Sequence, residues 1–380
     1  MESVSSTEFL KPLWSCWKIL GVARLKVEHK RAYLLYGILF NIAVTIYYPT
    51  HLLLSMFRNQ SLSNDIKNFG ISITCVACSL KITIYAIKLH RVQEMEAILQ
   101  QLDKRIQSAD ERKQFQTLRN DMRNIAYSFL IVYFPCIVTG AISVLFKDEW
   151  SLLYPAWFPF NWRESISYFL LANLFQIVGI SFQLLQNYVD DCFPPMALCL
   201  LSGHIKLLSM RVSKIGYKNK EFAKNEEELR LCILDQKNLY KLFDIISNII
   251  SFPMFIQFAV TATNICLAMA AVIFYVEDPL DRPYYITYFF AMPMQIFPTC
   301  YYGSEFEYLF GTLQYAVFKS NWMDQSPKYK KHMILFTERS MKPIKAVAGG
   351  MLRIHLDTFF STCKGAYSLF AVIIRLNSNN

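Results

Sequence analysis

Apolar runs of membrane-spanning length recur along the chain, with short polar and basic segments between them. A spanning helix needs about 20 predominantly apolar residues. Seven stretches meet that need: residues 32–57, 69–89, 125–146, 166 to beyond 186, 242–275, 284–310 and 349–374. The pattern does not stop at the membrane. Residues 88–123 mix charges with Met95, Ile98, Leu99, Leu102 and Ile106, spaced by three and four. That spacing predicts an amphipathic helix continuing from the second span. Residues 226–242 repeat the pattern with Leu229, Cys232, Ile233 and Leu239, whereas 218–228 is almost wholly polar and reads as a flexible hairpin. The expected fold is an all-α polytopic membrane protein with seven transmembrane helices. A packed cytoplasmic bundle, made by the amphipathic continuations, lies below them.

Charge gives the direction. Thirty lysines and arginines fall in the N-terminal segment and the second, fourth and sixth connections; six fall on the other side. Basic residues mark the cytoplasmic side, so the N-terminus is expected inside and the C-terminus outside. Five regions follow. Residues 1–31 form a cytoplasmic N-terminal segment, and 32–310 hold spans one to six with a ligand pocket in their outer half. Residues 311–348 form a cytoplasmic helical segment, 349–375 the last span and 376–380 an external tail. Residues 1–31 lack the apolar core of a signal peptide, so the first span itself directs insertion. The net charge of +10 sits in loops beside the membrane, which argues for topology and lipid contact and against nucleic acid. Asn59-Gln60-Ser61 is a glycosylation sequon on the external side.

Little in the sequence points to catalysis. The six histidines are scattered, no phosphate-binding loop or nucleophile-elbow motif occurs, and Cys75-x-x-Cys78 lies alone in an apolar helix. No enzyme, metal or cofactor is expected. None of the ten cysteines falls in an expected external loop, so no structural disulfide is expected. The outer halves of spans two to six offer a different chemistry. Thr74, Cys78, Thr139, Ser143, Tyr168, Phe175, Thr261, Phe289 and Met292 supply aromatic and thioether walls with isolated hydroxyls. Such a lining suits a small neutral ligand. In the last span Asp357, Ser361, Lys364, Ser368, Ala371 and Arg375 form one helical stripe, mostly polar or small. The stripe either lines an aqueous path or pairs against neighbouring helices.

The C-terminal third carries a recognisable series. Phe297-Pro298-Thr299-Cys300-Tyr301-Tyr302-Gly303 precedes Tyr315-Ala316-Val317-Phe318-Lys319-Ser320-Asn321-Trp322. Then come Lys328-Tyr329-Lys330-Lys331, Thr358-Phe359-Phe360 and Ala366-Tyr367-Ser368. Trp157-Phe158-Pro159-Phe160 and Pro194-Pro195-Met196 occur upstream. Their order and spacing resemble the insect odorant receptors, and the fly type in particular, over nearly the whole chain. The resemblance implies an odorant-gated nonselective cation channel in the plasma membrane of sensory neurons. It implies a tetramer with a shared odorant co-receptor subunit, a volatile ligand between spans two to six, and a pore lined by the last span. The long cytoplasmic insertion that marks the co-receptor is absent, so the chain resembles a tuning subunit. The family's outer gate maps to Ile373 when anchored on Gly365 and to Phe370 when anchored on Tyr367. A seven-helix G-protein-coupled receptor is the competing class, but it would place the N-terminus outside. A transporter would show internal repeats.

Overall fold

A computed structural model of the chain describes residues 5–23, 29–56, 62–145, 152–217, 221–275 and 282–378. Among these described residues, ten α-helices and one two-stranded hairpin make up the regular α and β elements. A short 3-10 turn leads into α1 (Lys11–Ile19). The first span is α2 (Lys30–Asn41), a π turn (Ile42–Tyr47) and α3 (Tyr48–Ser55). Then come α4 (Leu62–Asp103), α5 (Ala109–Leu145), α6 (Ile166–Ser213), α7 (Phe222–Ala270) and α8 (Arg282–Phe318). The helix α9 (Pro327–Ser340), the strands β1 (Val347–Ala348) and β2 (Leu352–Arg353), and α10 (Leu356–Ser378) complete the described elements.

The long helices outrun any bilayer. At about 1.5 Å per residue, α4, α6 and α7 extend about 63, 72 and 74 Å, against an apolar layer of about 30 Å. Their ends are specified locally. Ser108 and Glu111 form a reciprocal cap at the start of α5: Glu111 N–H donates to Ser108 Oγ at 3.2 Å and Ser108 N–H to Glu111 Oε2 at 2.9 Å. Ser165 caps α6 by accepting from the Tyr168 N–H, and Ser326, followed by Pro327, caps α9 through the Tyr329 N–H.

Below the membrane the helix ends converge on one core. Leu10, Leu13 and Trp17 of the N-terminal segment are buried in it, as are Tyr329, Met333 and Phe336 of α9. Ions tie it together: Arg211 reaches Glu111 and Asp235 at 2.8 Å each, and Arg105 reaches Glu228 at 2.7 Å and Asp235 at 2.9 Å. Asp103 holds the N-terminal segment by accepting from Ser6 N–H and Oγ–H, both at 2.7 Å.

The last helix begins at Leu356, not at residue 349. Gly349 and Gly350 have φ of +58° and +74°, which side chains resist, and they turn the β1–β2 hairpin. Gly349 N–H donates to Ser251 O at 3.0 Å, fixing the hairpin to α7 before α10 rises.

Five of the described helical runs are long and apolar enough to cross a membrane: 30–55, 68–103, 109–139, 166–213 and 222–274. The helices α8 and α10 are not among them, α8 being interrupted by tyrosines and prolines and α10 carrying the polar stripe, and they pack on α7 in the same bundle. Ile38, Leu39, Ile131, Phe134, Leu170 and Leu174 stand half or more exposed on the outside of the bundle. That surface requires lipid. Among the described basic residues of the second, fourth and sixth connections, Arg105, Arg211 and Lys328 are joined by ion pairs at the end where α9 sits. A tag on the C-terminus should therefore be stained on intact cells and an N-terminal tag only after permeabilisation. Staining of the C-terminal tag solely in permeabilised cells would overturn the orientation.

Candidate ligand cavity

Four helices enclose a cavity of ≈ 90 Å³ in the half of the bundle away from α9. Two of them present the same spacing. Ile71, Thr74, Cys75 and Cys78 of α4 face Ile180, Gln183, Leu184 and Asn187 of α6. Each set is one helical stripe, so both faces follow from periodicity. Tyr133, Cys136 and Ile137 come from α5, and Tyr284, Tyr288, Ala291, Met292 and Gln295 from α8.

The wall is apolar with few, fixed polar groups. Thr74 Oγ1 and Tyr288 OH lie 3.0 Å apart, and Asn264 Nδ2 donates to Thr74 Oγ1 at 2.8 Å. The floor is a charged network. Lys81 Nζ donates to Asp191 at 2.8 Å, Gln257 Oε1 at 2.7 Å and Asn187 Oδ1 at 3.2 Å. Tyr133 OH donates to Asp191 Oδ2 at 2.6 Å, and Gln257 Nε2 to Gln295 Oε1 at 2.9 Å. Asn187, Tyr133 and Gln295 thus join the cavity wall to a buried ion pair. The ligand meets amides and phenols, while both charges are held by protein groups.

Tyr154 roofs the cavity from the loop before α6. A buried glutamine holds it at two points: Tyr154 N–H donates to Gln176 Oε1 at 3.2 Å and Gln176 Nε2 to Tyr154 O at 2.9 Å. Trp157 N–H adds a bond to His51 O at 2.9 Å. The first span comes this close because Gly179 faces Tyr48: a Cβ at Gly179 would lie 2.1 Å from the tyrosine ring.

Of the residues expected on the wall, Thr74, Cys78 and Met292 meet there. The others stand elsewhere. Thr139 links α5 to α8 through Thr287 Oγ1 at 3.1 Å. Tyr168 is 44% exposed and lies against Phe160. Phe175 belongs to an aromatic cluster with Tyr47, Tyr48, His51 and Phe158. Thr261 is buried beside Gln257, and Phe289 packs toward Ile265 and Ala366. The side chain of Ser143, and Asn59 altogether, fall outside the described residues. Polarity inside an apolar helix was the signal for the missed positions: Gln183 and Asn187 in α6, and Gln295 in α8.

On α10 the covered face is Phe359, Ala366 and Phe370. Phe370 is buried against Cys266 and Ala270, with Phe274 and Ile373 beside it. The two gate candidates therefore pack on α7, because they share a helical face with Ala366. Asp357, Ser361, Lys364 and Ser368 of the polar stripe are exposed. Among the described residues, no helix of the chain covers that face.

Membrane-length helices, a polar bundle at one end and a roofed cavity at the other define an all-α polytopic membrane protein of receptor type. Comparison with known proteins agrees. The family model described as 7tm Odorant receptor matches residues 61–367. Odorant receptor 59a of Drosophila melanogaster is 47% identical, covering 98% of this chain and 98% of its own. Odorant receptor 23a of the same fly is 34% identical over 96% of each. The olfactory receptor OR5 of Machilis hrabei, solved in complex with eugenol, shares the fold at a TM-score of 0.83 and 14% identity, over 97% of this chain and 98% of that one. The chain belongs to the odorant receptor family.

Proposed function

We propose that this chain is the ligand-tuning subunit of an odorant-gated, nonselective cation channel. Its partner is the odorant co-receptor subunit, in a tetramer at the plasma membrane of sensory neurons. The ligand is a small, neutral, volatile molecule held in the roofed cavity mainly by apolar contact. One observation carries the reading: Met292 and Tyr288 have the cavity on one side and the Ala366 cluster of α10 on the other. A ligand touching them is one side chain away from α10. The exposed stripe of Asp357, Ser361, Lys364 and Ser368 is then the face that lines the pore, and Phe370 and Ile373 hold α10 to α7 in the closed state. Asn59 is the glycosylation site.

Whole-cell recording tests the reading. The chain co-expressed with the co-receptor, but not the co-receptor alone, should pass cation current to members of an odorant panel. Ala291→Val should then change potency, because it adds two methyl groups to a cavity of ≈ 90 Å³. A methyl group is worth about 0.8 kcal/mol, so a shift of about tenfold is expected at normal surface levels. Unchanged potency across the panel would remove this cavity from ligand binding.

A further inference from the structure

We infer that Lys364 is a selectivity residue of the pore: its positive charge holds back divalent cations, so this chain lowers the calcium permeability of the channel it joins. This deepens, and rests on, the reading of the polar stripe of α10 as the pore face. Lys364 is exposed, while Ala366, two residues on, is fully buried. Two residues turn a helix by about 200°, so the lysine points away from the covered face. It stands about 12 Å above Leu356, the first residue of α10. Asp357, two turns below, is 3.1 Å from His355 Nδ1. Among the described residues the Lys364 ammonium meets no carboxylate and no other polar partner.

An ammonium at membrane depth without a partner requires water or a charge from outside the chain. Its stem leans toward the helix start, and there it finds only Ser361 and Asp357, further along the same stripe. Apolar shoulders flank the stripe. Phe360 and Tyr367 are each 64% exposed on one side, and Leu369 and Val372 are 52% and 55% exposed on the other. A helix facing lipid would be apolar across the whole face, and one bathed in water would have polar shoulders. A polar stripe between apolar shoulders suits a helix that packs on sister helices at both sides and meets water between them.

Rings of carboxylates draw cations into a pore, and a lysine does the reverse. The repulsion scales with valence. Across about 7 Å of salt water, one elementary charge cuts the entry of a monovalent cation roughly twofold. A divalent cation meets twice the barrier, so its entry falls by the square, roughly fourfold. The permeability ratio of calcium to sodium is therefore lowered roughly twofold by this lysine.

Reversal potentials of the odorant-evoked current, recorded with the co-receptor in external sodium and then in external calcium, give that ratio. Lys364→Met should raise it roughly twofold and Lys364→Glu roughly fourfold, as the charge changes by one unit and then by two. Lys364→Cys lets the charge be put back. Its thiolate attacks aminoethyl methanethiosulfonate, a disulfide forms, methanesulfinate leaves, and an ammonium stands where the lysine was. The ratio should then return toward that of the unaltered receptor, whereas the uncharged methyl reagent should not restore it. The unaltered receptor given each reagent is the reference. An unchanged ratio in Lys364→Met and Lys364→Glu at normal surface levels overturns the proposal. Loss of both variants from the surface also overturns it, because the ammonium is then needed for assembly. Ser368→Cys, one turn outward, separates this inference from the reading it rests on. If the charged reagent alters odorant current through Ser368→Cys while the Lys364 variants keep the ratio, the stripe lines the pore and only the lysine's role falls. If the reagent leaves both cysteine variants untouched, the stripe is not the pore face and both fall.

Discussion

Lys81→Met should remove most of this protein from the cell surface. The Lys81 ammonium is 2% exposed and reaches Asp191, Gln257 and Asn187 within 3.2 Å. Its loss would leave Asp191 with the Tyr133 hydroxyl alone, and Asp190 beside it already has both carboxylate oxygens unpartnered. Removing one member of a buried ion pair costs about 3–5 kcal/mol, because the other charge remains in the dry interior. Whole-protein stability is about 5–15 kcal/mol, so the loss is severe. The double change Lys81→Met with Asp191→Leu takes both charges away and should recover most of the surface signal. Surface biotinylation of the two single variants and the double variant, each with the co-receptor, makes the measurement. Lys81→Met at normal surface level would show that the pair does not hold the bundle.

Lys81 also marks where sequence reading stops. A lysine inside an apolar span is conspicuous in the sequence, but its partners are 106, 110 and 176 residues away. Nothing local names them. The spans themselves were legible, since an apolar run of the right length has few other uses. So was the continuation of the second and fifth spans into a packed helical bundle, because Ile98, Leu102 and Leu239 keep helical spacing among charges. The faces of the spans were not legible. In a soluble helix the apolar stripe shows which side is covered; in α8, apolar residues run all round, so Phe289 and Met292 look alike. Only packing separates Met292, on the cavity wall, from Phe289, turned toward α10. Periodicity worked for α10, where the polar stripe of Asp357, Ser361, Lys364 and Ser368 contrasts with its apolar neighbours. The contact that roofs the cavity was hidden for another reason. Tyr154 sits in a loop, and its position depends on Gln176, a residue of the next helix.

Ala366→Leu should open the proposed channel without ligand. Ala366 is fully buried on the covered face of α10, against Ile265 and Met292, with Tyr288 and Phe289 alongside. A leucine brings three more carbons into that contact. Overpacking a filled site costs roughly 1–3 kcal/mol. The closed arrangement bears that cost, whereas a state with α10 moved away from α8 escapes it. The change would therefore favour opening by roughly 5- to 150-fold, as a ligand does through its own preference for one state. Ala366→Ser, which adds a single small atom, should stay near the unaltered receptor. Whole-cell baseline current, measured with the co-receptor and without odorant, should rise for the leucine variant, and odorant should add less to it. Because partner subunits hold the other pore helices, the rise reads this chain's share of the gate. A leucine variant with normal surface level, ordinary baseline and full odorant response would break the proposed link from the cavity through Met292 to α10.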